Sequence, residues 1–455
     1  MSKNKIIKIV YIVIFMCALI IPGIWTFVGH LEIVGNETQV DFSDVNYMNF
    51  ASKADKFMSQ KFGFRNDLIQ MNSALYYNVF NESSNEEVIA GKDGWLFYKQ
   101  ALDDYIGKNE LSDAEIAKIV KILQIMQKNV EKQGAEFVFV SAPNKMEIYD
   151  KYMSGNYLKE KDEGNYERLF SALGNAGVNN VDLKALLKLK ADKSDIFIYY
   201  RQDSHWNRLG AAYAYEAIME CVGMDYTEYS EYSEKEFVIK RNYQSDLYKM
   251  LFPMGKEFDE NIEMVEEFEF YYMSRFNSTD DIVIETANDN RDKSVLMYRD
   301  SFGAQIYEFV ANDFAEAEFR RDATYDLSDL SDKDLVIIEL VERNLDYLLV
   351  YLPIINAYEC EKINSEFTES EVEFAVSSLN GHVLLTASCE DVPENCVNVY
   401  FRITDSKGDG VYEAYPSAKD GDVCMYFDEL SSECKVSLIY EHDGKMYETI
   451  AKTVK

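Results

Sequence analysis

The sequence is poor in histidine and has no closely spaced cysteine pair. Its 455 residues include only four histidines, at positions 30, 205, 382 and 442, and its seven cysteines form no C-x-x-C motif. Zinc sites in proteins are usually built from such pairs and from histidine, so we expect no zinc site. No other metal and no diffusible cofactor are expected either.

Basic residues are also scarce. Lys and Arg total 46 against 80 Asp and Glu, which gives a formal net charge of -34. Such a surface repels polyanions, so a nucleic-acid partner is not expected. Hydrophobic residues make up 47% of the chain, which is enough for a large core, and the length predicts two or three domains. The 33 tyrosines and 27 phenylalanines offer faces for stacking on sugars, or fill a tyrosine-rich core and surface.

Long charge-free stretches are absent except near the N-terminus. Residues 9–28 contain no charged side chain, and Lys3, Lys5 and Lys8 precede them. A run of this length just spans the hydrocarbon core of a membrane as a helix, and the lysines favour a cytoplasmic N-terminus. The apolar region of a cleaved signal peptide is usually shorter and ends in small residues. We therefore predict a single-pass anchor in residues 1–30, with the rest of the chain exported to the extracytoplasmic side of the cell membrane.

Four of the seven cysteines fall near the C-terminus, at positions 389, 396, 424 and 434. In an exported domain an even number of cysteines is compatible with two disulfides. Four free buried thiols are the alternative, and the sequence leaves both open.

Predicted strands alternate with predicted helices between the anchor and about residue 345. A polar linker is predicted at 34–45 and an acidic, aromatic insertion or cap at 224–285. Strands are predicted at 136–141, 178–183, 196–199, 294–298 and 334–340, and helices at 116–130, 166–176, 183–190, 209–221 and 305–314. This alternation predicts parallel strand pairing and a layered α/β domain over residues 31–365. Short β-rich runs separated by turn residues predict an all-β sandwich at 371–455.

Asp203, Ser204 and His205 are the first candidates for chemistry. Histidine accepts and returns protons near neutrality, and a carboxylate fixes its tautomer and stabilises the imidazolium. His205 is the one histidine of the predicted α/β domain away from the membrane segment. A structural histidine that caps the following helix is the alternative reading of this pattern.

Ser301 is the candidate nucleophile. An apolar strand runs into Arg299-Asp300-Ser301-Phe302-Gly303, and an amphipathic segment follows. A serine in such a strand-to-helix turn lies near backbone N–H groups that can stabilise an oxyanion. The G-x-S-x-G elbow of the α/β-hydrolases is absent. An N-cap hydroxyl is the alternative role for Ser301.

Several ordered motifs together resemble the SGNH-hydrolase-like proteins of bacterial polysaccharide O-acetylation, the AlgX/AlgJ group and the related DHHW proteins. The resemblance covers about residues 57–345. The motifs that carry it are Phe62-Gly63-Phe64-Arg65, Gly91-Lys92-Asp93-Gly94-Trp95-Leu96-Phe97, Pro143-Asn144-Lys145 with Tyr149, Asp203-Ser204-His205-Trp206, Ser245-Asp246-Leu247, Asp300-Ser301-Phe302 and Glu342-Arg343-Asn344-Leu345. The chain departs from the family pattern at Arg299 and at Ser245, where the family usually has glycine.

The resemblance implies site roles and an SGNH-like catalytic fold. Ser301 would be the nucleophile, His205 the general base and Asp203 its partner. The oxyanion candidates are the Ser301 amide, Gly303 and Asn344, and the substrate-binding candidates are Trp206, Arg299 and Lys145.

The implied function is O-acetyl transfer to hydroxyls of an exported or cell-wall polysaccharide. The reaction would pass through an acyl-enzyme on serine, and a membrane-bound O-acyltransferase would supply the acetyl group. A carbohydrate O-acetylesterase uses the same residues with water as the acceptor. A non-catalytic scaffold that binds glycan in a polysaccharide assembly complex is an alternative of another class.

Overall fold

The computed structural model describes residues 3–28, 49–161, 163–223, 234–322, 324–379, 381–406, 408–417, 421–431 and 433–454. The linker predicted at 34–45 and the beginning of the insertion predicted at 224–285 lie outside the described residues. Within them, the α-helices are α1 Lys3–Val28, α2 Phe50–Lys61, α3 Arg65–Leu75, α4 Leu102–Tyr105, α5 Asp113–Lys132, α6 Lys145–Ile148, α7 Asn165–Ala176, α8 Leu183–Lys193, α9 Arg208–Val222, α10 Asp246–Leu251, α11 Gly303–Asp313 and α12 Tyr347–Val350.

The strands of the same ranges fall into two groups along the chain. Those before residue 345 are β1 Val88–Ala90, β2 Leu96–Tyr98, β3 Glu136–Ala142, β4 Asn180–Val181, β5 Phe237–Tyr243, β6 Asp259–Met264, β7 Tyr271–Tyr272, β8 Val283–Ala287, β9 Ser294–Tyr298, β10 Glu316–Arg320 and β11 Leu335–Val341. Those after it are β12 Glu366–Phe367, β13 Glu373–Leu379, β14 His382–Ser388, β15 Val399–Asp405, β16 Gly408–Glu413, β17 Tyr415–Pro416, β18 Asp422–Phe427, β19 Cys434–His442, β20 Lys445–Glu448 and β21 Lys452–Val454.

A seven-stranded sheet organises the larger part of the chain. Its strand order is β4-β3-β11-β9-β10-β8-β7. The first five strands pair in parallel, and β8 and β7 add antiparallel at one edge. The predicted α/β domain with a largely parallel sheet is confirmed. Because β3, β9 and β11 are parallel neighbours, the loops that follow them meet at one edge of the sheet.

Helices cover both faces of this sheet. Its strands carry apolar residues on both sides, and both sides must therefore be buried. Alternate residues of β3 enter two different cores: Phe137 and Phe139 pack with α5 and α7, whereas Val138 and Val140 pack with α8, α9 and α11. The period of two along a strand explains this division. A capping box at Ser112 and Glu115 begins α5, which contains the helix predicted at 116–130.

The N-terminal helix α1 contains one stretch, Lys5–Thr26, that is long and apolar enough to cross a membrane. A signal sequence near an N-terminus can meet the same criterion, so the helix is compatible with an anchor or with a leader.

The C-terminal part is β-rich, as predicted. A six-stranded sheet and a four-stranded sheet contribute side chains to one core, which also includes α5 of the α/β domain. Lys121 of α5 forms an ion pair with Glu413 of β16, 2.6 Å between Nζ and Oε1. The sandwich assignment and the domain limits of 31–365 and 371–455 stay predictions. The four C-terminal cysteines are separate, buried thiols, so the structure agrees with the second of the two cysteine alternatives.

Two sequence predictions of local structure need correction. Residues 196–199 form no strand; Tyr199 makes one antiparallel bridge to Trp206, which closes the loop that carries His205. The strands β8 and β10 were not predicted, because charged residues at positions 285, 316, 318 and 320 interrupt their buried residues.

Candidate active site

Three loops build the site at the carboxyl edge of the parallel strands. Arg299-Asp300-Ser301 follows the central strand β9, and Glu342-Arg343-Asn344 follows β11 as a short 3-10 helix. Pro143-Asn144 follows β3 and leads into α6. A fourth loop, Asp203–Trp206, precedes α9 and contacts the loop that carries Ser301.

Ser301 and His205 lie in hydrogen-bonding contact although 96 positions separate them. His205 Nε2 is 2.8 Å from Ser301 Oγ, and His205 Nδ1 is 2.7 Å from Asp203 Oδ1. Both serine and histidine are partly exposed, whereas Asp203 is buried. One ring nitrogen of His205 therefore contacts a buried carboxylate, and the other contacts an accessible hydroxyl.

Charge and hydrogen bonding set the protonation of this pair. Burial would raise the pKa of Asp203, but the His205 ring and the Asp246 amide outweigh it and lower that pKa to about 2. Burial would lower the pKa of His205, but its hydrogen bond to Asp203 and the charges of Asp203 and Asp246 raise it above the usual value. A carboxylate that stays ionised beside a histidine makes the imidazole a stronger base.

A second carboxylate, Asp246, supports the His205 loop. Its Oδ1 accepts from the Ser204 amide at 2.9 Å and its Oδ2 from the Ser204 hydroxyl at 2.6 Å. Its own amide donates to Asp203 Oδ2 at 2.8 Å, and its Oδ2 lies 3.8 Å from His205 Nδ1. Burial and the neighbouring Asp203 raise the pKa of Asp246 to about 6. Sequence reasoning missed this residue as a site member, although the Ser245-Asp246-Leu247 motif contained it.

The serine turn is held by buried carboxyl groups. Asp300 accepts from the Phe302 amide at 2.8 Å and from the Val341 amide at 2.7 Å, and its own amide donates to Glu339 Oε2 at 3.0 Å. Burial and the nearby Asp300 raise the pKa of Glu339 well above its usual range. These bonds join the nucleophile turn to β11.

Two of the predicted oxyanion donors have free backbone amides. Among the described residues, the N–H groups of Ser301 and Gly303 have no protein acceptor, whereas that of Phe302 is bound by Asp300. Gly303 begins α11, so its amide is one of the unpaired donors of a helix N-terminus. Asn344 lies at the same edge of the sheet and is partly exposed.

The three predicted substrate-binding residues lie in the interior, which does not suit contact with a substrate. Trp206 is fully buried and donates from Nε1 to the Phe302 carbonyl at 2.9 Å. Arg299 is 4% exposed and donates to the carbonyls of Thr279 and Asp281. Lys145, 4% exposed, directs its ammonium at three backbone carbonyls. These side chains hold the site loops in place.

Lys145 connects two motifs of the sequence. Its Nζ donates to the carbonyls of Tyr200 and Arg201, each at 3.1 Å, and to that of Asp203. It also lies 5.4 Å from the Trp95 ring centroid, within the range of a cation–π contact. Burial lowers the pKa of Lys145 to about 8, against the opposing charges of Asp203, Asp246 and Asp259.

The described residues contain one group of side chains with metal-ligand spacing, namely Asp203, His205 and Asp246. All three belong to the hydrogen-bonded system just described, in which the His205 ring is already engaged on both nitrogens. No metal is needed to account for this arrangement.

Part of the chain is similar to a known protein family. Residues 88–305 match the family described as "SGNH hydrolase-like domain, acetyltransferase AlgX". The protein described as "Probable alginate O-acetylase AlgJ" of Pseudomonas syringae pv. tomato is 25% identical over 211 residues, which cover 46% of this chain and 51% of that protein. The protein of the same description in Pseudomonas aeruginosa is 25% identical over 201 residues, 43% of this chain and 48% of that protein. The chain thus spans about half the length of the curated relatives it matches.

Solved structures give more distant matches. The O-acetyltransferase domain of Pseudomonas putida AlgJ has a TM-score of 0.39 at 16% identity and covers 57% of this chain and 92% of that one. Bacillus cereus PatB1 with a sulfonyl adduct has a TM-score of 0.43 at 15% identity and covers 57% and 97%.

Proposed function

We propose that this protein is an O-acetyltransferase with Ser301 as its nucleophile, and the match of residues 88–305 to the SGNH hydrolase-like domain of the acetyltransferase AlgX motivates the proposal. One observation carries the proposal: the unbroken contact from Asp203 through His205 to the Ser301 hydroxyl, with distances of 2.7 and 2.8 Å. A nucleophile, a base and an orienting carboxylate in this order are the minimum that acyl transfer through serine requires.

The first half-reaction acylates the serine. Ser301 Oγ attacks the carbonyl carbon of an acetyl donor while its proton moves to His205 Nε2. The negative charge that forms on the carbonyl oxygen is stabilised by the amides of Ser301 and Gly303, which have no other acceptor. The bond to the leaving group then breaks, and His205 returns the proton to the departing oxygen.

The second half-reaction transfers the acetyl group. A hydroxyl of the acceptor sugar loses its proton to His205 Nε2 and attacks the acetyl-serine ester. When the tetrahedral intermediate collapses, the Ser301 oxygen leaves and takes the proton back from His205. Asp203, with its pKa near 2, stays ionised throughout and stabilises the imidazolium at both stages.

The acceptor in the proposal is a polysaccharide, and the curated relatives, described as probable alginate O-acetylases, motivate it. The proposal places the bulk of the chain on the extracytoplasmic side, with α1 as its anchor and a membrane-bound O-acyltransferase as the source of acetyl groups. The apolar stretch Lys5–Thr26 supports the anchor by its length and composition.

The test uses the exported portion, residues 49–455, with an activated acetyl ester as the donor and an oligosaccharide as the acceptor. Mass spectrometry of the quenched enzyme should find an acetyl group on Ser301, and the oligosaccharide should gain acetyl esters. Ser301→Ala should abolish both, and His205→Ala should lower acylation by at least about a hundredfold. Acetate release without transfer would assign an esterase instead. A folded protein in which no acyl group reaches Ser301 would overturn the enzymatic function.

A further inference from the structure

The helix α3 and the turn that follows it carry a row of exposed apolar side chains. Leu68, Met71 and Leu75 lie on one face of α3, three and four positions apart. The chain continues as a π-helix whose last residues are Val79 and Phe80. The hydrogen bonds of a π-helix join residues five positions apart, so these two side chains follow Leu75 on its side of the helix. The five residues, called the α3 stripe below, are between 45% and 69% exposed.

The opposite face of the same segment packs on the α/β domain. Ser73 is buried, and Ala74 and Tyr77 pack against a small core that β1, β2 and α10 form. The Tyr77 ring meets the Phe252 ring edge to face, 5.6 Å between centroids. The stripe is therefore the outer side of a helix that is fixed to the domain, next to α10, whose first residue is Asp246 of the candidate site.

The turn before α3 packs on the end of α1. The amide of Gly63 donates to the hydroxyl of Thr26 at 2.9 Å, and Thr26 is the last residue of the apolar stretch of α1. A side chain at position 63 would collide with the Pro22 carbonyl, so glycine is required for this approach. The Trp25 and Phe64 rings stack, 5.2 Å between centroids, as is typical of the level where a span meets water. Helix α3 thus begins where α1 would leave a membrane.

The segment around the stripe is basic, although the chain as a whole is acidic. Residues 49–80 contain four basic side chains against two acidic ones, a net charge of +2, whereas the whole chain has -34. The basic residues are Lys53, Lys56, Lys61 and Arg65, and the acidic ones are Asp55 and Asp67. Anionic lipid headgroups attract basic segments that lie next to a membrane span.

We propose that the α3 stripe docks on the lipid surface of the membrane that α1 spans, with its five apolar side chains inserted at the level of the headgroups. Helices with one apolar face and basic residues beside it bind membrane surfaces in this way. The inference goes beyond the proposed function and rests on the part of it that makes α1 an anchor. Because the other face of α3 packs on the α/β domain, docking holds that domain in one orientation to the membrane.

A lipid surface is the occupant that the position of the stripe favours. The end of α1 is in contact with the turn that begins α3, so the bilayer is a permanent neighbour and weak insertion is sufficient for docking. The linker predicted at 34–45 is polar in composition and offers little apolar surface to cover the stripe. Five exposed apolar side chains in one row would otherwise remain in water, which is unfavourable.

The experiment crosslinks the full chain in bacterial membranes whose phospholipids carry tritiated oleoyl chains. Phe80→benzoylphenylalanine and Met71→benzoylphenylalanine each place a photoreactive group on the stripe, which reacts with C–H bonds of whatever it touches. After irradiation the chain is isolated under denaturing conditions and its tritium is counted. We expect at least about tenfold more tritium at either position than at a control position, the population ratio that burial of one apolar side chain supports.

Phe367→benzoylphenylalanine is the matched control, because Phe367 is as exposed as Phe80 and lies on β12 of the C-terminal part. Equal tritium at Phe367 and Phe80 would overturn the docking. Crosslinks from the stripe to another protein or to the chain itself, without lipid, would overturn it too, and so would release of the chain from the membrane by alkaline carbonate. Acylation of Ser301 is measured separately on the unsubstituted chain, so a failure of the transferase function is distinguished from a failure of the docking.

Discussion

Replacement of Asp246 by asparagine should shift the pH profile of the enzyme towards acid. The base must be neutral to take the serine proton, so the acid limb of kcat/KM follows the pKa of His205 in the free enzyme. Asp246 is one of the charges that raise this pKa, and its Oδ2 lies 3.8 Å from His205 Nδ1. Asparagine has the same size and keeps an oxygen for Ser204, but it carries no charge.

The size of the shift can be worked from that distance. Two unit charges 3.8 Å apart interact by about 1 kcal/mol at the dielectric constant of water and by about 4 kcal/mol at an effective value of 20. Because the Asp246 side chain is 39% exposed, solvent screens the interaction and the lower figure applies. An interaction of about 1 kcal/mol corresponds to a shift of about one unit in the pKa of His205. The effect requires an ionised Asp246 and is therefore fully present only above its own pKa of about 6.

The assay is the pH dependence of kcat/KM with an activated acetyl ester from pH 5 to 9. Asp246→Asn should move the midpoint of the acid limb down by about one unit, so the fraction of the plateau rate retained at pH 6 increases. Asp443→Asn is the control, because it removes one exposed carboxylate from a turn with φ 51°, a conformation that asparagine tolerates. An unmoved limb, or one that moves to higher pH, would refute the account of how Asp246 acts on His205.

Two further predictions concern the loops that hold the site. Lys145→Met should lower the free energy of unfolding by about 3 kcal/mol and reduce kcat, because the carbonyls of Tyr200, Arg201 and Asp203 lose the ammonium that joins them. Denaturation in urea and steady-state kinetics measure the two effects, and a variant as stable and active as the parent would contradict the role. Gly303→Ala should cost about 2 kcal/mol by overpacking, because its Cβ would lie 2.5 Å from both Cβ and Cδ of Arg299. In an Arg299→Gly background the same change should cost less than about 0.5 kcal/mol, and equal costs in the two backgrounds would show that the crowding has another origin.

The sequence allowed the long elements to be predicted, because they follow simple periodicities. The helix α5 has a capping box and a regular apolar face, and its beginning at Asp113 was predicted within a few residues. Strand β11 is a continuous apolar run, and the structure buries all seven of its residues. Such segments are fixed by burial alone, so composition and spacing are sufficient to find them.

Strands without a continuous apolar run, and loops, could not be predicted in the same way. The strands β8 and β10 alternate buried residues with glutamates, and they are strands because they pair with the sheet, as at Phe319 and Ile284. Residues 196–199 have a strand-like apolar pattern, but their side chains fill the core around Trp95 and their backbone does not join the sheet. Whether such a segment forms a strand depends on partner strands that are distant along the chain. A local sequence pattern carries no information about those partners.

The same limit applies to the candidate site residues. Ser301, His205 and Asp203 were predicted from distinctive local contexts, and the structure brings their side chains into hydrogen-bonding contact. Trp206 and Lys145 belong to equally distinctive motifs, yet their polar atoms are bound to backbone carbonyls inside the protein. A motif marks a residue that the site needs, but it does not tell whether that residue contacts the substrate or holds a loop.

Arg343 is the opposite case, since it was quoted as one letter of a motif and given no role. Arg343 has no ion-pair partner among the described residues. The two nearby carboxylates, those of Glu342 and Asp300, have other partners. Glu342, next to it in sequence, turns towards Lys184 on the far side of the short helix, and Asp300 is occupied by backbone amides.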